Sequence, residues 1–118
     1  ETIRDAGGLA LSSRNCFLSE IEIDKARQLY RSLQDAADAI FRSEVKFSDL
    51  EKQSYNDLQD AGLTPDYFSI CNSKTLKPAT IEDIDLVIIA AAYVGSVRII
   101  DNIRVSLDHT KQKSRVIE

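Results

Sequence analysis

The sequence predicts an α+β domain in which two main helices pack on one face of a small antiparallel sheet of about three strands. Two capped, amphipathic patterns in the first half of the chain predict the helices. Short runs rich in β-branched and aromatic residues in the second half predict the strands. With 118 residues, 43% of them hydrophobic and 29% charged, the chain can form one buried core. No repeat or internal linker divides it, so we predict a single domain over residues 1–118.

The first predicted helix covers about residues 19 to 43. Ser19 and Glu22 have the spacing of a capping box, and Leu18 is placed to pack on Ile23 as a hydrophobic staple. From Ile23 to Phe41, apolar residues recur at intervals of three and four, which is the helical period.

A second predicted helix covers about residues 48 to 61. Ser48 and Glu51 repeat the spacing of a capping box, and Gly62 is a typical stop after a helix. Pro65 excludes a longer helix.

Three strands are predicted at about 67 to 72, 86 to 94 and 97 to 102. Gly95-Ser96 separates the last two, and a two-residue loop with Gly first predicts a type II′ hairpin. The alternating Ile103, Val105 and Leu107 indicate that the strand continues into the 103–118 tail, which we expect to end in a frayed segment rather than a basic contact site.

Charge and composition exclude several classes of protein. The net charge of −4 disfavours a nucleic-acid partner. Cys16, Cys71 and a single His109 predict reduced thiols and no metal site. No apolar run reaches about 18 residues and no signal peptide is evident, so we expect a cytoplasmic protein without a membrane segment. Because the chain contains no Met, we expect it to begin inside a longer or processed protein.

The segment from Gly8 to Asn15 holds the densest set of hydrogen-bond donors. Small residues that allow close approach to the backbone are followed by Ser12, Ser13, Arg14 and Asn15. An Arg can make two-pronged hydrogen bonds to a phosphate, and hydroxyls and amides add further contacts. The same residue types also occur in solvated loops, so donor chemistry alone leaves both interpretations open.

The order of residues from Arg4 to Asn15, R-D-A-G-G-L-A-L-S-S-R-N, resembles a signature of the pantothenate synthetase (pantoate:β-alanine ligase) family. Asp66-Tyr67 after the second helix is similar as well, and Ala91 to Asn102 follows the family pattern A-x-x-x-G-x-x-R-x-I-D-N. The resemblance covers about residues 2 to 102 and matches the family's carboxyl-terminal domain.

The resemblance implies that the chain is the ATP-covering lid domain of a two-domain ligase. It assigns ATP contacts to the backbones of Ile3 and Leu11 and to Ser12, Ser13 and Arg14 beside the phosphates, with Arg14 a candidate for stabilising the transition state. Gly7 stands where the family usually has Asp, so a side-chain role is not carried over there.

The implied reaction joins pantoate and β-alanine through a pantoyl-adenylate, with Mg²⁺ accompanying ATP. The pantoate and β-alanine sites belong to an amino-terminal Rossmann-like domain that this sequence lacks, so we expect the 118-residue chain alone to be inactive. We expect the full-length protein to be a homodimer. The competing hypothesis is a noncatalytic module that binds an anion or peptide through the same donors.

Two further polar sites in the second motif have more than one interpretation. Asp101-Asn102 is interpreted as turn or cap residues at a strand end rather than as catalytic residues. Arg98 is expected to point outward from its strand, toward a carboxylate or the missing domain, in preference to ATP.

Overall fold

The structure, a computed structural model, describes residues 19–42 and 46–107. Within these ranges the elements are α1 (Glu20–Arg42), α2 (Phe47–Asp60), β1 (Thr64–Asn72), β2 (Asp85–Val94) and β3 (Val97–Ser106). The strands form one antiparallel sheet in the order β1-β2-β3. Helix α1 lies over β2 and β3, and α2 lies against β1. The predicted α+β class, with two helices and a three-stranded antiparallel sheet, is confirmed.

Helix α1 begins at the predicted capping box. The backbone N–H of Ser19 donates to Glu22 Oε1 at 3.0 Å, and the backbone N–H of Glu22 donates to Ser19 Oγ at 3.2 Å. These two bonds satisfy donors that the first turn of a helix leaves without partners. The buried face of the helix follows the predicted helical period and consists of Ala26, Leu29, Leu33, Ala36, Ala37 and Ile40.

The predicted capping box of α2 is wrong. The helix begins one residue earlier than predicted, with Lys46 as an extended N-cap that makes no side-chain capping bond. The Glu51 carboxylate is instead used by the sheet, where Oε2 accepts a hydrogen bond of 2.7 Å from the backbone N–H of Ile70. Because β1 is an edge strand, half of its N–H groups point away from β2 and need another acceptor.

The end of α2 agrees with the prediction. Gly62 has a φ of 95°, and the N–H of Leu63 donates to the carbonyl of Leu58 at 3.0 Å. The N–H of Gly62 donates to the carbonyl of Gln59, which completes a Schellman motif.

Strand β1 starts at Thr64, three residues earlier than predicted, and therefore includes Pro65. Its register passes from Pro65 opposite Ala92 to Tyr67 opposite Ala91, so Asp66 is the extra residue of a β-bulge. An edge strand with a bulge tolerates a proline, which has no N–H to contribute to the ladder. The Tyr55 hydroxyl donates to the Pro65 carbonyl at 3.1 Å and connects the bulge to α2.

Strand β3 continues to Ser106 instead of ending at residue 102. Ile103 lies opposite Ile88 and Val105 opposite Leu86, so the alternation of apolar residues keeps the strand paired to its end. The continuation expected at the start of the tail is thus present as far as Ser106. Residues 108–118 lie outside the described part of the chain.

The β2–β3 connection is the predicted two-residue hairpin. Val94 pairs with Val97, and Gly95 has a φ of 61°. A type I′ turn needs a positive φ at both central residues, whereas a type II′ turn needs it only at the first. Ser96 does not have a positive φ, so the turn is of type II′.

The two faces of the sheet differ in burial. The face toward the helices carries the apolar residues of the core, among them Phe68, Ile70, Leu86, Ile88, Ala90, Ala92, Val94, Ile99 and Val105. The opposite face, called the outer face below, carries Tyr93 and Ile100, which are 38% and 50% exposed. Ala91 on the outer face is nevertheless fully buried, between Tyr67 and Ile100 in the register.

Replacing Glu51 should destabilise the junction between α2 and β1. Glu51→Ala leaves the part-buried N–H of Ile70 without its acceptor, and we expect a loss of about 1–3 kcal/mol in the free energy of unfolding. Urea denaturation measures this change in the free energy of unfolding. Glu51→Gln keeps an acceptor oxygen and should lose less. Lys52→Ala on the same helix is the exposed control and should change stability by less than about 0.5 kcal/mol. Equal losses for Glu51→Ala and Lys52→Ala would contradict this role.

Candidate functional site

The family resemblance assigns ATP contacts to residues that lie outside the described part of the chain, namely Ile3, Leu11, Ser12, Ser13 and Arg14. Gly7, Cys16 and His109 also lie outside it. What the structure describes is the frame to which the Arg4–Asn15 segment is joined. This frame consists of the start of α1 and the second sequence motif on β2 and β3.

The second motif is distributed over a turn and both faces of the sheet. Gly95 is in the hairpin turn, where a Cβ atom would lie 2.7 Å from Glu22 Oε2. Arg98, Ile100 and Asn102 belong to the outer face, and Asp101 belongs to the face toward the helices. The motif therefore does not form one cluster of side chains.

Arg98 pairs with Asp66 across the outer face. Its Nη2 and Nε donate to Asp66 Oδ2 at 2.9 and 3.2 Å, and its guanidinium carbon lies 5.9 Å from the centre of the Tyr67 ring. The bulge in β1 aims Asp66 at the arginine, since a bulge redirects a side chain relative to the regular alternation. The expectation that Arg98 points outward to a carboxylate is confirmed.

The ion pair with Asp66 favours the charged form of Arg98. The hydrogen bond that Arg98 donates to the Asp66 carboxylate, assisted by the negative charge of that carboxylate, raises the pKa of the Arg98 guanidinium above its ordinary value. Arg98 therefore stays charged at every physiological pH. Because the two side chains are 33% and 41% exposed, the pair is screened by solvent and contributes little to stability.

Asp101 is a buried carboxylate in the middle of β3. It is 5% exposed, lies opposite Ala90, and its Oδ1 accepts a hydrogen bond of 2.7 Å from the backbone N–H of Asn102. The interpretation of Asp101-Asn102 as turn or cap residues is wrong, because the strand extends beyond them. A buried carboxylate is retained only where hydrogen bonds offset its lost hydration.

The remaining chemical groups of the described residues do not form a reactive centre. The Cys71 thiol is buried, and burial together with the charge of Glu51 raises its pKa, which disfavours the nucleophilic thiolate. Over residues 19–42 and 46–107, no group of three or more His, Cys, Asp and Glu could hold a metal ion. Neither described helix has the length and apolar character to cross a bilayer.

Two of the clefts in the described part of the molecule have volumes of about 410 and 380 Å³. The larger lies between α2 and β1, where Glu51 and Tyr55 already bond to the strand. The smaller includes Asp85 and Ser106 at the end of the β2–β3 ladder opposite the hairpin turn. A ten-residue ladder separates that cleft from Gly95 by about 30 Å.

Sequence reasoning missed two features of this frame. The approach of Gly95 to Glu22 joins positions far apart in the chain, and no local pattern reports it. The burial of Asp101 had a usable signal, because Asp101 occupies the same phase as Val97, Ile99, Ile103 and Val105 in an alternating strand.

Comparison with known proteins identifies the family. The sequence model of the pantoate-beta-alanine ligase family matches residues 1–104. Pantothenate synthetase from Pseudomonas fluorescens is 50% identical over 107 residues, and that from Hahella chejuensis is 46% identical over 106. These matches cover 91% and 90% of this chain but 37% and 38% of the relatives.

Solved structures agree with the sequence match. A crystal structure of pantothenate synthetase from Thermus thermophilus superposes with a TM-score of 0.78 at 30% identity, covering 86% of this chain and 37% of that one. Pantoate-beta-alanine ligase from Francisella tularensis, crystallised with βγ-ATP and β-alanine, superposes with a TM-score of 0.55 at 28% identity, covering 86% and 30%.

The chain is therefore a member of a family of ligases. It belongs to the pantoate-beta-alanine ligase family, whose relatives are named pantothenate synthetases. It spans little more than a third of the length of the relatives that it matches.

The Asp66–Arg98 pair should make a small and salt-sensitive contribution to stability. A double-mutant cycle of Asp66→Asn and Arg98→Gln, measured by urea denaturation, should give a small favourable coupling energy in low salt. The coupling should shrink at about 1 M salt, where the Debye length is about 3 Å. The exposed Asp24–Arg27 pair in α1 is the comparison. A coupling that does not change with salt would contradict an exposed electrostatic pair.

Proposed function

We propose that this chain is the ATP-covering domain of a longer pantoate:β-alanine ligase. The observation that carries the proposal is the family match over residues 1–104, which includes the Ser12-Ser13-Arg14 loop and the second motif. The relative crystallised with βγ-ATP and β-alanine supports ATP and β-alanine as substrates. The family match favours this function over a noncatalytic module that binds an anion or peptide.

The reaction proposed for the full-length protein has two steps. The pantoate carboxylate attacks the α-phosphorus of ATP, the bond to the β-phosphate oxygen breaks, and pyrophosphate leaves. The amine of β-alanine then attacks the acyl carbon of pantoyl-adenylate, loses a proton and releases AMP. Pantothenate, AMP and pyrophosphate are the products.

In this proposal the Ser12-Ser13-Arg14 loop acts by electrostatics rather than by acid or base catalysis. Negative charge increases on the leaving pyrophosphate, and donors placed there stabilise the transition state more than the ground state. Arg14 provides a permanent charge, and the hydroxyls of Ser12 and Ser13 provide neutral donors. The backbones of Ile3 and Leu11 would contact the adenine. Mg²⁺ would arrive bound to the phosphates of ATP.

The other partners follow from the same proposal. The pantoate and β-alanine sites would lie in the remaining part of the longer protein, in an amino-terminal Rossmann-like domain. We propose a homodimeric full-length enzyme in the cytoplasm, which light scattering and cell fractionation would test.

Arg14→Ala in the full-length protein should impair adenylate formation. Removal of one preorganised donor to a developing negative charge lowers the rate by about 10²–10³-fold. Pyrophosphate release from ATP and pantoate, measured in a single turnover without β-alanine, reports this step. Because the described core is built from residues 26–105, the melting temperature should stay nearly unchanged. Arg31→Ala on the exposed side of α1 is the matched control. Unchanged rate and unchanged ATP affinity in Arg14→Ala would reject the assignment.

The isolated 118-residue chain should form no pantothenate. A lid supplies only part of the contacts to ATP and must also order its own loop, so its ATP binding should be weak as well. An assay with ATP, Mg²⁺, pantoate and β-alanine, with the full-length protein as the positive control, checks this. Turnover by the isolated chain would contradict its assignment as a lid.

A further inference from the structure

The cleft of about 380 Å³ at the end of the β2–β3 ladder combines charged side chains with hydroxyl groups. Its walls come from the turn after β1 and from the paired ends of β2 and β3. The polar residues that line it are Ser73, Lys74, Asp85, Arg104 and Ser106. Pockets that bind small molecules begin at volumes of about 300 Å³. The cleft therefore has room for a small ligand.

The sheet brings these side chains together on its outer face. Asp85 lies opposite Ser106 in the β2–β3 register, and directly opposite side chains share a face. Arg104 is two residues before Ser106 in β3, so the alternation of the strand places it on the same face. The backbone N–H of Ser73 donates to the carbonyl of Asp85 at 3.0 Å, which holds the turn beside β2. Regular pairing thus assembles the polar wall of the cleft.

The hydroxyl of Ser106 is buried and has unused hydrogen-bonding capacity. Its Oγ is inaccessible to solvent and has no hydrogen-bond partner among the described residues. Buried polar groups in folded proteins are nearly always paired with protein, water or a ligand. Serine has three staggered χ1 positions, so rotation about one bond can turn the hydroxyl toward a ligand in the cleft.

The charged groups of the cleft favour an anion. Lys74, Asp85 and Arg104 take part in no ion pair among the described residues. Two of these side chains have a formal positive charge and one has a negative charge, so positive charge is in excess. This excess is local, because the whole chain has a net charge of −4. A small ligand interacts with the nearest charges far more strongly than with distant ones.

We infer that this cleft binds a small organic anion, a carboxylate or phosphate that also carries hydroxyl groups. Arg104 and Lys74 bind the anionic group, since a guanidinium donates paired hydrogen bonds to the oxygens of either anion. Asp85 repels a bare anion but accepts a hydrogen bond from a ligand hydroxyl, which selects hydroxylated ligands. Ser73 and Ser106 add neutral hydrogen bonds. Binding at this cleft does not depend on the proposed ligase activity.

The side-chain Nε–H resonance of Arg104 in NMR spectra of the full-length protein reports binding at this cleft. The absence of this resonance in Arg104→Gln assigns it. Glycerate and propionate are matched probes, because they share a carbon skeleton and only glycerate has hydroxyls. Glycerate should shift the resonance to saturation, and propionate should bind about tenfold more weakly, since it makes no hydrogen bond to the charged Asp85. The Arg98 Nε–H resonance should not move, because Asp66 already accepts from it.

Glycerol 3-phosphate distinguishes the two kinds of anion. Saturation of the Arg104 resonance by glycerol 3-phosphate and not by glycerate would identify a phosphate ligand, and the reverse would identify a carboxylate. If neither compound shifts the Arg104 resonance, the inference is wrong.

Substitutions of the charged residues test their separate roles. Lys74→Gln should raise the Kd of the bound probe about tenfold, the effect of losing a hydrogen bond to a charged group. Lys77→Gln is the matched control, because Lys77 is exposed in the same loop but does not line the cleft. Asp85→Ala should remove the preference for glycerate over propionate. An equal Kd in Lys74→Gln and Lys77→Gln would overturn the inference.

Ser106→Ala separates a ligand-binding role from a structural one. We expect the Kd of the bound probe to rise about two- to tenfold, which corresponds to one neutral hydrogen bond. The melting temperature of the ligand-free protein should not fall, because the substitution removes a buried hydroxyl that has no partner. A lower melting temperature together with an unchanged Kd would show that the hydroxyl serves the fold, and would contradict the inference.

Discussion

The described structure depends on the burial of one face of the sheet beneath α1. Leu29 and Leu33 of the helix are almost completely inaccessible, as are Ile88 and Ala90 of the central strand. Burying a leucine or isoleucine side chain stabilises a fold by about 1.5–3 kcal/mol. The small side chains of Ala90 and Ala92 leave room for a helix to lie close to β2. Both the hairpin and the start of α1 take their positions from this contact.

Most of the fold could be predicted because its signals are local. The capping box at Ser19, the Schellman motif at Gly62 and the turn at Gly95 each depend on residues close in sequence. The errors arose where a distant partner decided the outcome. Glu51 has the spacing of a capping residue. Its carboxylate instead accepts a hydrogen bond from the backbone N–H of Ile70, which belongs to an edge strand.

The residues of the candidate site could be named from the sequence, whereas the contacts between the second motif and the rest of the domain could be predicted less well. Family resemblance identified Ser12, Ser13 and Arg14, and composition alone left them between a phosphate loop and a solvated loop. The pairing of Arg98 with Asp66 depends on the β-bulge, and a bulge inserts one residue without a distinct sequence signal. Asp101 shows the opposite case, since its phase in β3 already placed it on the buried face.

The bulge at Asp66 also determines where the length of β1 can vary. Deleting Ser69 would make Phe68 and Ile70 consecutive in the strand and turn one of them away from the core, because consecutive side chains point to opposite faces. Deleting the extra residue of the bulge would restore regular pairing and leave Phe68 opposite Ala90. Relatives that differ by a single residue in this strand can therefore share the same core if the insertion or deletion falls at the bulge. The ion pair with Arg98 would be gained or lost together with that residue.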